Sequence, residues 1–183
     1  MKELSLNILD ITENSVKAGA AVIEIALKEN DETLLISIKD DGCGMTEETV
    51  AAVVNPFYTT RTTRKVGLGI PLLKLASEQT GGNIKIESRI SDDKNSEHGT
   101  KVEALFYKKH LDFTPLGDIV STLTTLIQGH PLVDFVFTHN KNGNEIKLDT
   151  RDLRAVLEDV PLDSFEVLVW IKDNLNEEYS NFN

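Results

Sequence analysis

The stretch LLISIKDDGCGM, residues 34 to 45, constrains this chain more than any other. Leu34, Ile36 and Ile38 alternate with Leu35, Ser37 and Lys39, the two-residue period of a strand with one face buried. The same alternation turns Asp40 inward, and Gly42 and Gly44 follow at once. A buried carboxylate without a partner is very costly, so Asp40 must meet a donor, either in the chain or on something that binds. Glycines at that point leave room for another group to approach the backbone.

The segments around this strand give a coherent order. Residues 4 to 18 read as a helix, with Leu4, Ile8, Ile11 and Ala18 as an apolar stripe widened by Leu6, Leu9 and Val16. Asn7, Asp10, Asn14 and Lys17 form a second stripe, rich in asparagine, which is a poor helix former for a merely solvated face. Gly19 suits the helix C-cap. Strands are expected over 21–28 and 33–39, joined by a turn at Asn30-Asp31. Thr46 caps a helix that ends before Pro56. The segment NPFYTTRTTRKVGLG, residues 55 to 69, has no period. It carries Arg61, Arg64 and Lys65 and runs through Gly67 and Gly69 into another helix, whose bare N-terminus suits an anion. Strands 83–89 and 100–107 follow.

Composition narrows the classes. The chain has 183 residues and a net charge of −11, which argues against a dedicated nucleic-acid binder. No apolar run is long enough to span a bilayer and the N-terminus is not a signal peptide, so a soluble cytoplasmic protein is expected, with no membrane partner. The single cysteine, Cys43, excludes an internal disulfide and reads as a small buried residue. Asparagine and aspartate oxygens suit magnesium held through phosphates, and a buried aspartate suits the amine of a purine. Together the parts describe a magnesium–ATP site.

Four motifs in this order resemble the ATP-binding fold shared by DNA gyrase, histidine kinases and MutL mismatch-repair proteins, the GHKL superfamily. DITENSVKAGA is similar to its N box, DDGCGM to its first glycine box, and PFYTTR with GLGI to the F box and second glycine box of histidine kinases. GGNIKIES and HGTKVEALF resemble its closing strands. The resemblance implies an α+β, two-layer α/β sandwich (the Bergerat ATP-binding fold) over residues 1–108, with a small α/β C-terminal extension over 109–183.

The resemblance also implies roles. Asn14 matches the magnesium ligand, Lys17 a phosphate contact and Asp40 the residue that reads the adenine amine. Gly42, Gly44 and Met45 belong to the adenine turn. Phe57, Arg61 and Lys65 lie in the F box and lid. Gly67, Leu68 and Gly69 match the phosphate-cradling turn, and Thr100 the threonine that supports Asp40. Where ATP-hydrolysing members place a glutamate base, this chain has Asp10, with the same chemistry and one methylene less reach. The expected cofactors are ATP or ADP with magnesium. The implied activity is that of a stand-alone kinase-like regulator or slow ATPase acting on an unidentified protein partner, or alternatively a nucleotide-gated interaction module, with the oligomeric state left open. Neither a dimerisation segment nor a phospho-acceptor histidine is expected before the N box, and His98, His110, His130 and His139 read as structural or exposed. In the extension, Trp170 reads as a core anchor, the last residues, EEYSNFN, as frayed, and VDFVFTHNKNGNEIKLDT as a hairpin over Asn-Gly.

Overall fold

A computed structural model describes residues 3–55, 68–92 and 97–182. In chain order the elements are α1 (Leu4–Lys17), β1 (Val22–Glu29), β2 (Thr33–Asp40), α2 (Glu47–Val53), α3 (Gly69–Gln79) and β3 (Asn83–Arg89). Then come β4 (Gly99–Tyr107), α4 (Ile119–Gly129), β5 (Asp134–Lys141), β6 (Asn144–Asp149), α5 (Thr150–Leu157) and α6 (Phe165–Ser180).

The strands form one mixed sheet in the order β3-β4-β2-β1-β5-β6. Registry explains why a single face is buried. Ile38 lies opposite Ile25 and Val102, and Ile36 opposite Leu27 and Ala104, so the apolar residues of neighbouring strands share a side. Helices α1, α3, α4 and α6 cover that side, giving the α+β, two-layer architecture expected from the sequence.

The C-terminal segment continues this sheet. β5 runs parallel to β1 along its whole length, from Val22 opposite Asp134 to Glu29 opposite Lys141. Phe135 and Phe137 thereby join Ile23 and Ile25 in one core, where all four are almost fully buried. Truncating a buried phenylalanine to alanine typically costs about 3–5 kcal/mol, a large share of a domain's stability of about 5–15 kcal/mol. The Asn142-Gly143 turn between β5 and β6 has positive φ at both residues (50° and 92°), as an asparagine-glycine hairpin requires.

The ends of α1 are fixed from outside. Leu4 and Ser5 donate their N–H groups to the carbonyls of Pro115 and Leu116, so the segment before α4 satisfies the helix start. Gly19, with φ of 77°, closes the other end as expected. Thr46 caps α2 by accepting from the Thr49 N–H at 3.1 Å.

Three expectations are corrected. Trp170 is 54% exposed, because α6 buries the stripe Val167, Leu168, Ile171 and Leu175, and Trp170 lies about 100° from Ile171. Cys43 is exposed, since the turn that buries Gly42 sends the next side chain outward. The C-terminal residues are not frayed: Tyr179 and Phe182 pack against the His139 ring, with centroids 5.8 and 4.8 Å away.

Candidate functional site

Asp40 is the last residue of β2 and is only 8% exposed. The chain itself supplies three donors to its carboxylate. Ser15 on α1 donates its hydroxyl to Oδ2 at 2.6 Å. The Gly42 and Thr100 N–H groups donate to Oδ1 at 3.0 and 3.1 Å. A carboxylate accepts about four hydrogen bonds, so one position on Oδ2 stays open among these partners. Of the two kinds of partner the sequence left open for Asp40, one is thus present in the chain itself, and an acceptor position remains for the other.

The row containing Asp40 continues in polar residues across the sheet. Thr100 lies opposite Asp40 and Ser88 opposite Thr100. The Ser88 hydroxyl is 2.8 Å from that of Thr100 and accepts from the Met45 N–H at 2.8 Å. Thr100 therefore supports Asp40 through its backbone, while its side chain ties β4 to the turn after β2. Asp41, the second aspartate, serves the backbone instead, because its Oδ1 accepts from the Ala21 and Val22 N–H groups and fixes the start of β1.

Close packing accounts for the glycines. A Cβ on Gly44 (φ 70°) would fall 1.8 Å from the Arg89 carbonyl oxygen, and one on Gly99 (φ 120°) 1.9 Å from that of Asp40. Gly42 faces Ala18 at the end of α1, and Cys43 donates its N–H to the Ala18 carbonyl at 2.9 Å. The turn is thereby clamped between α1 and the β3–β4 end.

The polar face of α1 borders the same place. Asp10 and Lys17 are exposed and Asn14 is half-buried, and none of their side chains is hydrogen-bonded among the described residues. Asn7 departs from this stripe. It is buried at 2% exposure, with its Nδ2 unpartnered among the described residues, because α3 and α4 both pack on α1. Glu13 accepts from the His130 Nε2–H at 2.8 Å, which turns it toward α4 and leaves Asp10 as the carboxylate on the face of Asn14 with no partner among the described residues.

α3 starts against Asp10. A Cβ on Gly69 would lie 2.9 Å from the Asp10 Cβ, so only glycine lets the helix begin there. Leu68, 53% exposed, supplies no side-chain cap, and Pro71 has no N–H to offer. Among the described residues, the first turn of α3 therefore presents uncapped N–H groups and the positive end of its dipole beside Asp10. Phe57, Arg61, Lys65 and Gly67 lie outside the described residues.

Two residues of this site were not singled out by sequence. Ser15 stands on the apolar stripe of α1, where a hydrophobic residue is expected, and that misfit was its signal. His98 was read as structural or exposed. Its Nδ1 lies 2.7 Å from the Gly42 carbonyl, which can only accept, so Nδ1 carries the proton and braces the glycine turn. Among the described residues no cluster of three His, Cys, Asp or Glu side chains could hold a metal. A metal here would rest on Asn14 and on oxygens brought by a ligand and water.

This geometry meets the comparisons with known proteins. A family model described as "Histidine kinase-, DNA gyrase B-, and HSP90-like ATPase" matches residues 2–110. The chain belongs to this family. Among curated proteins it is 33% identical over 88 residues to Sporulation kinase E of Bacillus subtilis (strain 168), covering 48% of this chain and 12% of that protein. It is 30% identical over 186 residues to the DNA mismatch repair protein MutL of Listeria monocytogenes, covering 81% of this chain and 30% of that protein. The chain thus spans less than a third of the length of either relative. The solved MutL ATPase domain of Aquifex aeolicus, complexed with ADP, shares the fold with a TM-score of 0.53 at 19% identity. That match covers 86% of this chain and 70% of the other, so the likeness of fold between the two reaches past the family-matched segment. Among the described residues, no helix of this family member is long and apolar enough to cross a membrane.

Proposed function

We propose that this chain binds magnesium–ATP where α1, β2 and α3 meet, hydrolyses it slowly, and acts in the cytoplasm as a kinase-like or ATPase regulator of a partner protein. The observation that carries the reading is the Asp40 carboxylate, held by three internal donors with one acceptor position left over. An exocyclic adenine amine fills such a position, and a guanine carbonyl, which cannot donate, does not. The ADP held by the Aquifex MutL domain supports the nucleotide class. The kinase name of the Bacillus relative supports group transfer as an outcome of that binding.

The other residues fit the same ligand. Asn14 offers a hard amide oxygen to magnesium between phosphates, and Lys17, one turn on, offers a charge to them. The uncapped start of α3, at Leu68 and Gly69, offers N–H groups to phosphate oxygens. Met45, Gly42 and Gly44 form the floor and turn beside Asp40, while Phe57, Arg61, Lys65 and Gly67 keep the lid and cradle roles implied by their motifs. Magnesium would supply charge neutralisation at the phosphates. Asp10, exposed beside Gly69 and without a partner among the described residues, takes the proton from the attacking water. Residues 1–108 carry this chemistry, and residues 109–183 serve another role.

A phosphate-release assay on the parent, Asp10→Asn and Asp10→Glu tests the activity. The parent should show weak turnover, the asparagine variant a loss of about 10²–10⁴-fold with ATP still bound, and the glutamate variant at least parental turnover. Undiminished activity in Asp10→Asn would remove Asp10 as the base. The shorter reach of Asp10 favours one second reading, a nucleotide-gated interaction module, for which all three proteins would bind ATP and release no phosphate.

A further inference from the structure

Three large apolar side chains on the solvent side of α6 stay uncovered among the described residues. Phe165, Val169 and Trp170 are 76%, 41% and 54% exposed; Phe165 and Val169 stand one turn apart, and Trp170 lies about 100° round the solvent side of the helix from Val169, next to Glu166 one turn before it. Val160, five residues earlier, is 49% exposed. Single exposed apolar residues are ordinary, but two large aromatics and a valine within two turns on the solvent side of one helix mark an interaction surface.

The setting of this face is strongly acidic. Seven carboxylates and one lysine, Lys172, fall between Glu158 and Glu178. Glu166, Asp173 and Glu177 interleave with the apolar residues, as Glu166 and Trp170, and Val169 and Asp173, are four apart. All three are exposed and have no ion-pair partner among the described residues. Such a face repels an anionic membrane surface and a nucleic-acid backbone. A second copy would set these carboxylates against themselves in an isologous contact.

We infer that α6 docks a positively charged amphipathic segment of a partner protein, whose apolar side covers Phe165, Val169 and Trp170 while its Lys and Arg residues meet Glu166, Asp173 and Glu177. This surface stands apart from the nucleotide site and goes beyond the reading above. It also gives residues 109–183 a role linked to that site, since α6 packs on α4, and α4 on α1, which carries Asp10 and Asn14.

Trp170 is the only tryptophan, so its fluorescence reports on this face alone. The probe is a tryptophan-free peptide of about 18 residues with leucine on one helical face and lysine on the other. Titrating it into the parent should shift Trp170 emission to the blue with saturation. Both Phe165→Ser/Val169→Ser and Glu166→Gln/Asp173→Asn/Glu177→Gln should bind it about tenfold or more weakly, since both the apolar and the charged contacts are required. All substituted side chains are exposed, and circular dichroism checks that each variant folds. Parental affinity in the serine variant would reduce the interaction to diffuse charge and overturn the proposal. So would equal binding of a leucine–glutamate peptide, a blue shift with phosphatidylcholine vesicles, or a shift with protein concentration alone.

Discussion

The Ser15 hydroxyl donates to Asp40 Oδ2 at 2.6 Å, joining the middle of α1 to the end of β2. The bond sets where the carboxylate's open acceptor position faces, because the other oxygen is held by the Gly42 and Thr100 N–H groups. Ser15→Ala removes the donor and leaves Oδ2 in a buried place with no other donor among the described residues. Loss of such a partner costs about 1–3 kcal/mol. The variant should melt several degrees lower and bind ATP about tenfold more weakly, by thermal unfolding and calorimetry. Parental values in both would mean that Ser15 does not position Asp40.

Asn14 is the group assigned to magnesium. Asn14→Ala should weaken ATP binding much more in magnesium than in EDTA, because the lost contact is a metal ligand. Its side chain has no hydrogen bond among the described residues, so folding should change little. Equal losses in the two buffers would assign Asn14 to packing instead.

His139 makes the fold sensitive to acid at the far end of the sheet from Asp40. It is 2% exposed, with Nδ1 2.8 Å from the Tyr179 hydroxyl and Nε2 3.0 Å from Glu29 Oε2. Burial holds its pKa below the ordinary histidine value, against the pull of Glu29 and with small contributions from Lys141 and Lys108. Burial alone would raise Glu29, but Lys108 and His139 hold it below the usual carboxylate value. The unfolded chain takes up the histidine proton near its ordinary pKa of about 6.5, before the folded chain does. Stability from this group is therefore present above that pH and lost as pH falls through the folded value. Melting temperature should drop between about pH 7.5 and about pH 5.5, and less steeply in His139→Gln. Parallel slopes for the two proteins would exclude His139 as the cause.

Much of this was legible in the sequence because the relevant signals are local. The period of β2, the Thr46 cap, the Asn142-Gly143 turn and the glycines beside Asp40 each announce themselves within a few residues. What was missed depends on contacts distant in sequence. Ser15 acts on a residue on another element, and only the folded α1 brings it there. Trp170, the lone tryptophan, was read as a core anchor, whereas the apolar stripe of α6 passes it by. β5 joins β1 across more than a hundred residues, a parallel pairing that no short-range pattern encodes.

The central claim is that Asp40 reads an adenine amine, and Asp40→Asn tests it with little change of shape. The new amide can keep its oxygen toward the Gly42 and Thr100 N–H groups and turn its NH₂ toward Ser15, whose hydroxyl can accept. The fold is therefore retained, while the open position changes from an acceptor to a donor facing the donor of adenine. Calorimetry of ATP in magnesium should show a loss of about 1–3 kcal/mol, roughly 5- to 150-fold in affinity, with an unchanged melting temperature in the absence of nucleotide. ATP binding at parental affinity would contradict the account.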